Sequence, residues 1–557
     1  MDEQMLWRYL LASLFIFYSC TSLATRLSPA DRETLQQQQQ DILQQNQQQR
    51  EELERLTPAP ALPSPPVENN GGPCFLINRI TLNNATLISQ KQQQQLTTPY
   101  SHRCLNLAKI SELTHNVSDW YISRGYITSR AFLTEQDLSH GELTLEILEG
   151  RLEKIELDGQ TPAMLRTVFP GAEGHILNLR DIEQGMEQIN RLRSVPVQIE
   201  ILPGTTQGLS VVSLTATPEF PLNASLGFDN SGQKSTGTGQ LTGSLTGNNL
   251  LGLADKWSLN GGRSSDFTTG HDAQSFQAGL SLPYGYALLD YSYSWNNYLS
   301  TVSSRGYDWH SRGDTQTHRL TLTDVLYRNS DMKTALSLGM ARRNSRNWLN
   351  DAPLKSSSRV LSNVMVGINH SQKVAGGSAT FNPALTKGVP WLGAENDEGK
   401  APDAPKAEFT KGSLTASFYR PLTRRVTFLT SLYGQATGDR LYGSERLTIG
   451  GESSVRGFKE QYLAGDNGGY WRNELNISLF SLPGIGEISA VAAVDGGWLK
   501  HDNDDANASG TLWGSAVGLA STGRFLSSQL TLGRPIAWPT ELTPDRFCVY
   551  YRLGLAL

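Results

Sequence analysis

The chain has 557 residues, with 48 Lys and Arg against 53 Asp and Glu and a net charge of -5. That balance leaves no basic stripe and argues against nucleic acid as a partner. With 52 glycines, 19 tyrosines, 11 tryptophans and 38% hydrophobic residues, the composition suits strands and turns better than a helical protein.

The first element in chain order, residues 1–24, reads as an export signal. Arg8 precedes an apolar run from Tyr9 to Tyr18, and Ser22-Leu23-Ala24 offers a small-x-small cleavage site. A run of ~10 residues is too short to cross a bilayer as a helix, which takes about 20. Cys20 follows Phe17-Tyr18-Ser19, a poor context for lipid attachment, so simple cleavage after Ala24 is expected. No later stretch has ~18 uninterrupted apolar residues, so no transmembrane helix is expected.

Residues 25–56 form the next unit. Ser28 suits an N-cap, Pro29 the first helical position and Asp31 the first turn. Leu35, Ile42, Leu43 and Leu53 are sparse apolar positions among many glutamines. A helix from about Pro29 to Leu56 would be polar almost all round, so it either crosses solvent or lies in a polar cavity. A disordered Gln-rich tract is the competing reading. Residues 57–73 are a Pro-rich, semi-rigid linker.

Residues 74–150 and 151–218 read as two small α/β units. In the first, "CFLINRITLNN" is a strand and "LNLAKISELTHNVSDWYISRGY" a helix, with Leu105, Ile110, Leu113, Val117, Trp120 and Tyr121 near a 3.6 period. "ITSRAFLT" and "GELTLEILEG" are strands. The second unit repeats the order: "RLEKIELDG" is a strand, "TPAMLRTVFP" and "NLRDIEQGMEQINRL" are helices, the latter capped by Asn178 or Asp181, and two strands follow. Two successive βααββ patterns of ~70 residues are an internal repeat. An exported chain meets an oxidising compartment, so Cys74 and Cys104, in one small unit, are expected to form a disulfide.

From 219 to 557 the pattern changes to short alternating segments between Gly, Asn, Asp and Ser turns. Phe547, Val549, Tyr551, Leu553, Leu555 and Leu557 share one face of the last segment. In "WRNELNISLF", Trp471, Leu475, Ile477 and Leu479 lie opposite Arg472, Glu474, Asn476 and Ser478. Segments of ~10 residues with one apolar and one strongly polar face are the mark of a transmembrane β-barrel, whose polar face lines a lumen. At roughly 20 residues per strand and connection, this region holds about 16 antiparallel strands. "GAENDEGKAPDAPKAE" would be an external loop.

The order of these parts, with "SSVRGF" in the barrel and "AVDGGW" further on, resembles the transporters of bacterial two-partner secretion in the Omp85 superfamily, which include hemolysin, adhesin and contact-dependent inhibition exporters. "GYITSRAFLTEQDLSHGELTLEILEGRLEKIEL" looks like the junction between that family's two POTRA domains, and the resemblance covers essentially the whole mature chain. It implies periplasmic POTRA domains that catch an unfolded exoprotein by its N-terminal secretion domain. It also implies an outer-membrane barrel that conducts the chain, a helix at 25–56 that plugs the pore, and a long loop, about 443–469, folded into the lumen. Leu557 stands where many such barrels end in phenylalanine.

Within that loop lie Val455, Arg456, Gly457 and Phe458. Read alone, Arg456 is an external-loop arginine in solvent. The parity of "EISAVAAVDGGWLK" supplies a partner: Ile488, Ala490, Ala492, Val494 and Trp498 face lipid, so Asp495 points into the lumen. The resemblance pairs these positions. A guanidinium can hold a carboxylate through two parallel hydrogen bonds, and Gly457 and Gly497 would let the backbones approach. Glu474, also on the lumen face, is a second candidate partner for Arg456, with ordinary pore lining as the alternative. Capture of the exoprotein is expected at an exposed POTRA strand edge, by addition of a strand. No metal-ligand spacing, nucleophile elbow or nucleotide loop is present, so neither an enzyme nor a cofactor is expected. "NSGQKST" reads as a hairpin turn. The expected protein is an ATP-independent polypeptide exporter in outer-membrane lipid, working as a monomer. The alternatives are a barrel-assembly insertase of the same superfamily or a plain porin.

Overall fold

The computed structural model describes residues 27–54 and 73–557, apart from 265, 268, 305 and 502–508. The expected export signal and most of the Pro-rich linker lie outside the described residues.

Helix α1, Pro29–Glu54, starts where its sequence dictates: the Asp31 amide donates to Ser28 Oγ at 3.1 Å. Leu35 and Leu53 are buried, but so are Gln39 and Asn46. Its surroundings are therefore polar, as befits a helix with so little apolar surface.

The first α/β unit comprises β1 (Phe75–Ile77), β2 (Arg79–Asn83), α2 (Gln90–Thr97), β3 (Arg103–Leu105), α3 (Leu107–Ser123), β4 (Arg130–Leu133) and β5 (Glu142–Leu148). The second comprises β6 (Arg151–Leu157), α4 (Ala163–Val168), α5 (Leu179–Asn190), β7 (Gln198–Pro203) and β8 (Leu209–Thr215). Their sheets run β2-β5-β4 and β6-β8-β7. In each, the first strand is parallel to the last and the middle one antiparallel to it. The sequence reading took 74–84 as one strand. It is two, because β1 leaves the sheet to pair with β3, and there Cys74 and Cys104 are joined by a disulfide. Helix α2 was not read from the sequence. Its glutamines bury nothing, so no periodicity announces it; the Ser89 and Gln92 capping box is its one local signal. Helix α5 is capped by Asn178, whose side chain accepts from the Arg180 amide.

The barrel strands are β9 (Leu222–Asp229), β10 (Gln240–Asn248), β11 (Lys256–Ser264), β12 (His271–Tyr284), β13 (Ala287–Ser304), β14 (Tyr307–Arg328) and β15 (Met332–Leu349), then β17 (Arg359–Val374), β18 (Gly377–Gly388), β19 (Thr410–Pro421) and β20 (Val426–Thr437). The set ends with β23 (Gly468–Leu482), β24 (Gly486–Leu499), β25 (Gly510–Thr522), β26 (Leu526–Ala537) and β27 (Cys548–Ala556). These sixteen antiparallel strands close into one barrel, with the two-residue β16 (Ala352–Pro353) beside β15. The closing pair, β27 with β9, runs only from Arg552↔Asp229 to Ala556↔Ser225. Leu557 extends it, its amide donating to the Ala224 carbonyl at 2.8 Å.

Large apolar side chains stand outside along the strands, among them Leu245, Phe276, Leu322, Val366, Leu385, Val517 and Leu530. A water-soluble barrel would point them inward; a lipid-facing band requires them outside. A bulge at Leu479 places Phe480 opposite Ile488, so both Leu479 and Phe480 face outward.

Helix α1 lies inside this barrel. Gln39 Nε2 donates to the Thr448 carbonyl at 2.8 Å, and Asn46 Oδ1 accepts from Thr380 Oγ1 of β18 at 3.2 Å. The second α/β unit docks on the periplasmic turns. The Gly285 amide donates to the Thr167 carbonyl at 2.8 Å, and Ala254 of the β10–β11 turn completes that unit's apolar core.

Candidate functional site: the in-folded loop

Between β20 and β23 the chain makes a short 3-10 turn (Gly443–Glu445) and a hairpin of β21 (Leu447–Ile449) and β22 (Leu463–Gly465). The hairpin packs against the inner wall. Leu447, Ile449, Val455, Phe458 and Leu463 form an apolar cluster with Tyr470, Leu499 and Leu512 of the strands. A loop that merely hung in solvent would not bury five such side chains.

At its tip, Arg456 is buried against Asp495. Nε donates to Asp495 Oδ2 at 2.6 Å and a terminal nitrogen to Oδ1 at 2.6 Å, the two-point geometry a guanidinium offers a carboxylate. The Arg456 amide donates to the same Oδ2 at 3.1 Å, and the other terminal nitrogen to Glu474 Oε1 at 2.7 Å. Asp495 is 0% exposed, whereas its neighbours in the strand Val494 and Trp498 are 47% and 45% exposed on the lipid side. Arg472, directly opposite Asp495 in register, completes the set: it donates to Glu474 at 3.0 Å and to the Ser453 carbonyl at 2.8 Å. Two guanidiniums and two carboxylates balance, which a buried ionic cluster needs if it is not to be strongly unfavourable.

Glycines give the loop its seat. Gly457 has φ +104°, and a Cβ there would lie 2.7 Å from the Arg534 carbonyl oxygen. A Cβ at Gly497 would lie 2.9 Å from Val455 Cγ2, and one at Gly514 only 1.8 Å from the Arg456 carbonyl oxygen. Sequence reasoning named Gly457 and Gly497 but missed Gly514 and Arg472. Arg472 was legible, since strand parity already turned it to the lumen beside Glu474. Gly514 was not, because a glycine in an alternating strand carries no mark of what approaches it.

A second ionic cluster holds the loop's base and had no sequence signal. Glu445, 3% exposed, accepts from Arg343 of β15 at 3.1 Å and Lys411 of β19 at 2.7 Å. Phe458 is 1% exposed and meets Trp538 edge-on. None of these groups is arranged as nucleophile and base. The arrangement fixes a loop and an opposing wall in one relative position.

A sixteen-stranded, lipid-faced barrel with a polar helix in its lumen, an in-folded loop and two POTRA-like units defines an outer-membrane transporter of the Omp85 kind. Residues 208–521 match the family model of the haemolysin secretion/activation proteins ShlB/FhaC/HecB. Residues 75–150 match a ShlB-type POTRA domain and 151–203 a further POTRA domain. The chain is 56% identical over 541 residues to the outer membrane transporter CdiB of Escherichia coli, covering 97% of this chain and 92% of the relative. It is 32% identical to the hemolysin transporter protein ShlB of Serratia marcescens, over 86% of this chain and 84% of that protein. The solved structure of CdiB from Escherichia coli superposes with a TM-score of 0.93 at 55% identity, covering 96% of this chain and all (100%) of that one. The chain belongs to the ShlB/FhaC/HecB family of two-partner secretion transporters. It resides in the outer membrane of a Gram-negative cell, with its POTRA domains in the periplasm.

Proposed function

We propose that the chain binds an unfolded partner exoprotein in the periplasm and passes it through its own barrel to the outside without ATP. The partner is a large secreted protein with an N-terminal secretion domain. Of the hemolysin, adhesin and contact-dependent inhibition classes, the greater likeness to CdiB than to ShlB favours the last. The observation that carries the reading is a lumen occupied by two parts of the chain other than its strands, helix α1 and the in-folded loop. The helix is held largely by side-chain amides and hydroxyls, and the loop tip by one ionic cluster beside the buried Val455 and Phe458. A porin needs neither part, and a lumen so occupied conducts only when they move.

In this reading residues 25–56 are the plug and 57–73 the tether that lets it leave. Residues 74–150 and 151–218 are the receiving domains, and 219–557 the conduit, following an export signal at 1–24. Val455, Arg456, Gly457 and Phe458 hold the loop tip, Asp495 and Gly497 receive it, and Glu474 shares the arginine's charge. The barrel closes on itself, so a single copy suffices.

The test is whether a large exported protein is encoded by a neighbouring gene and whether its appearance in the medium depends on this chain. Secretion is expected to require this chain alone. Undiminished secretion in its absence, or a general failure of other barrels to assemble, would support the insertase reading instead.

A further inference from the structure

Three bodies meet at Lys333, the second residue of β15 at the periplasmic rim. Its ammonium donates to Glu52 of the plug helix at 2.9 Å and also to Glu187 of α5. We propose that Lys333 is a shared counter-ion for which the plug and POTRA 2 compete, so that closer engagement of α5 loosens the plug. The inference rests on the transporter reading above.

The surroundings favour competition over simple bracing. Arg328 donates to Glu187 at 3.1 Å and lies 3.9 Å from Glu183, which itself is held by Arg180 at 2.8 Å. Glu183 is thus matched within its own helix; Arg328 pairs directly with Glu187, Lys333 with both Glu187 and Glu52, and Arg191 adds a longer-range attraction on Glu52. The two carboxylates repel each other and share one ammonium, so a shift of that ammonium toward one lengthens its contact with the other. Glu52 is the less enclosed, with a side chain 39% exposed against 20% for Glu187, so the plug is the weaker competitor.

The contact also stands where it can matter. Among the described residues, α1 has three ion pairs outside itself, one with the in-folded loop, Arg32 with Glu460 at 3.1 Å, and two with barrel strands, Asp41 with Arg319 at 4.0 Å and Glu52 with Lys333. Only the last is at the periplasmic end. Between them the helix relies on neutral partners such as Gln45 with Asn369 and Gln49 with Asn382. Lys333, Glu52, Glu187 and Arg328 border a cavity of about 820 Å³, bounded by the last turns of the plug, by α5 and by Ile199 and Ile201 of β7. A segment of extended chain entering there would push on α5 and the plug together, with Lys333 between them.

Channel recordings of the purified full chain in planar bilayers test this without any exoprotein. Glu52→Lys sets like charges together and is expected to raise the open fraction by about two- to fivefold, the scale of a partly exposed ion pair. Glu187→Gln leaves Lys333 to the plug and is expected to lower the open fraction. Lys333→Glu alone should open the channel, and Lys333→Glu combined with Glu52→Lys should return it toward wild type. Heat-modifiable migration of each variant establishes that the barrel has formed. If Glu187→Gln opens the channel as Glu52→Lys does, or leaves it unchanged, Lys333 is a brace and the competition is overturned. Loss of exoprotein secretion by wild type would instead strike the transporter reading, with these recordings unaffected.

Discussion

Arg456→Ala would leave Asp495 and Glu474 without their main cation in a buried place. Removing one partner of a buried pair costs roughly 3–5 kcal/mol, enough to unseat the loop tip. Secretion is expected to fall at least ~10-fold, since each 1.4 kcal/mol is a factor of ten in an equilibrium, while the variant still inserts and remains heat-modifiable. Secretion at the wild-type level would show that the contact is dispensable. Gly514→Val tests the seat without touching a charge. With the added carbon placed 1.8 Å from the Arg456 carbonyl oxygen, the hairpin must move. The expected result is cleavage of the 443–469 segment by protease added to whole cells, with the wild type resistant. The aspartate's direction was legible because strands alternate strictly and lipid tolerates no carboxylate. That Arg456 reaches two carboxylates, and that Arg472 completes the set, depended on strand register, which no single strand encodes.

Helix α1 is an element whose start was written locally and whose neighbours were not. Ser28 and Pro29 start it, and its run of glutamines sustains it, but a polar helix has no face that names its neighbour. Its contacts are with Thr448, Asn369, Thr380 and Asn382, each far away in the chain. Deleting residues 27–54 is expected to raise single-channel conductance in planar bilayers severalfold. Unchanged conductance would mean that the loop, rather than the helix, limits the pore. The hairpin of β21 and β22 is a second such element. The resemblance implied a loop folded inward over about 443–469; the cluster with Tyr470, Leu499 and Leu512 is what holds it against the wall.

Across the whole molecule, POTRA 2 is joined to the barrel by an apolar contact at Ala254 and by the ionic cluster around Glu187. Burial pushes the Glu187 carboxyl up, but Lys333 and Arg328 outweigh it and hold the group below its ordinary value of 4.5. Glu52, Glu183 and Arg180 are the other charges facing it. A lowered carboxylate favours the docked state above the ordinary value, and that contribution is lost as pH falls through the lowered one. Acidification through this range is therefore expected to loosen the joint, read as faster hydrogen exchange or proteolysis of the segment between β8 and β9. Glu187→Gln should remove this pH dependence; its persistence would assign it to another titrating group at the joint, such as Asp181 under Tyr286.

Local pattern was enough for the kinds of parts and their order: the capped polar helix, the repeated βααββ units, and alternating strands with one face too polar for a soluble barrel. It was enough because caps, helical period and strand parity act over a few residues and are written where they act. Helix α2 escaped because it buries nothing and so has no period to read. The tertiary structure alone decided which wall residues helix α1 touches in the lumen, that Gly514 and Arg472 belong to the loop's seat, that Glu445 anchors its base, and that helix α1 and POTRA 2 share Lys333. Each depends on which strands the barrel brings opposite one another. Closure fixes that for the whole ring at once, joining residues hundreds of positions apart.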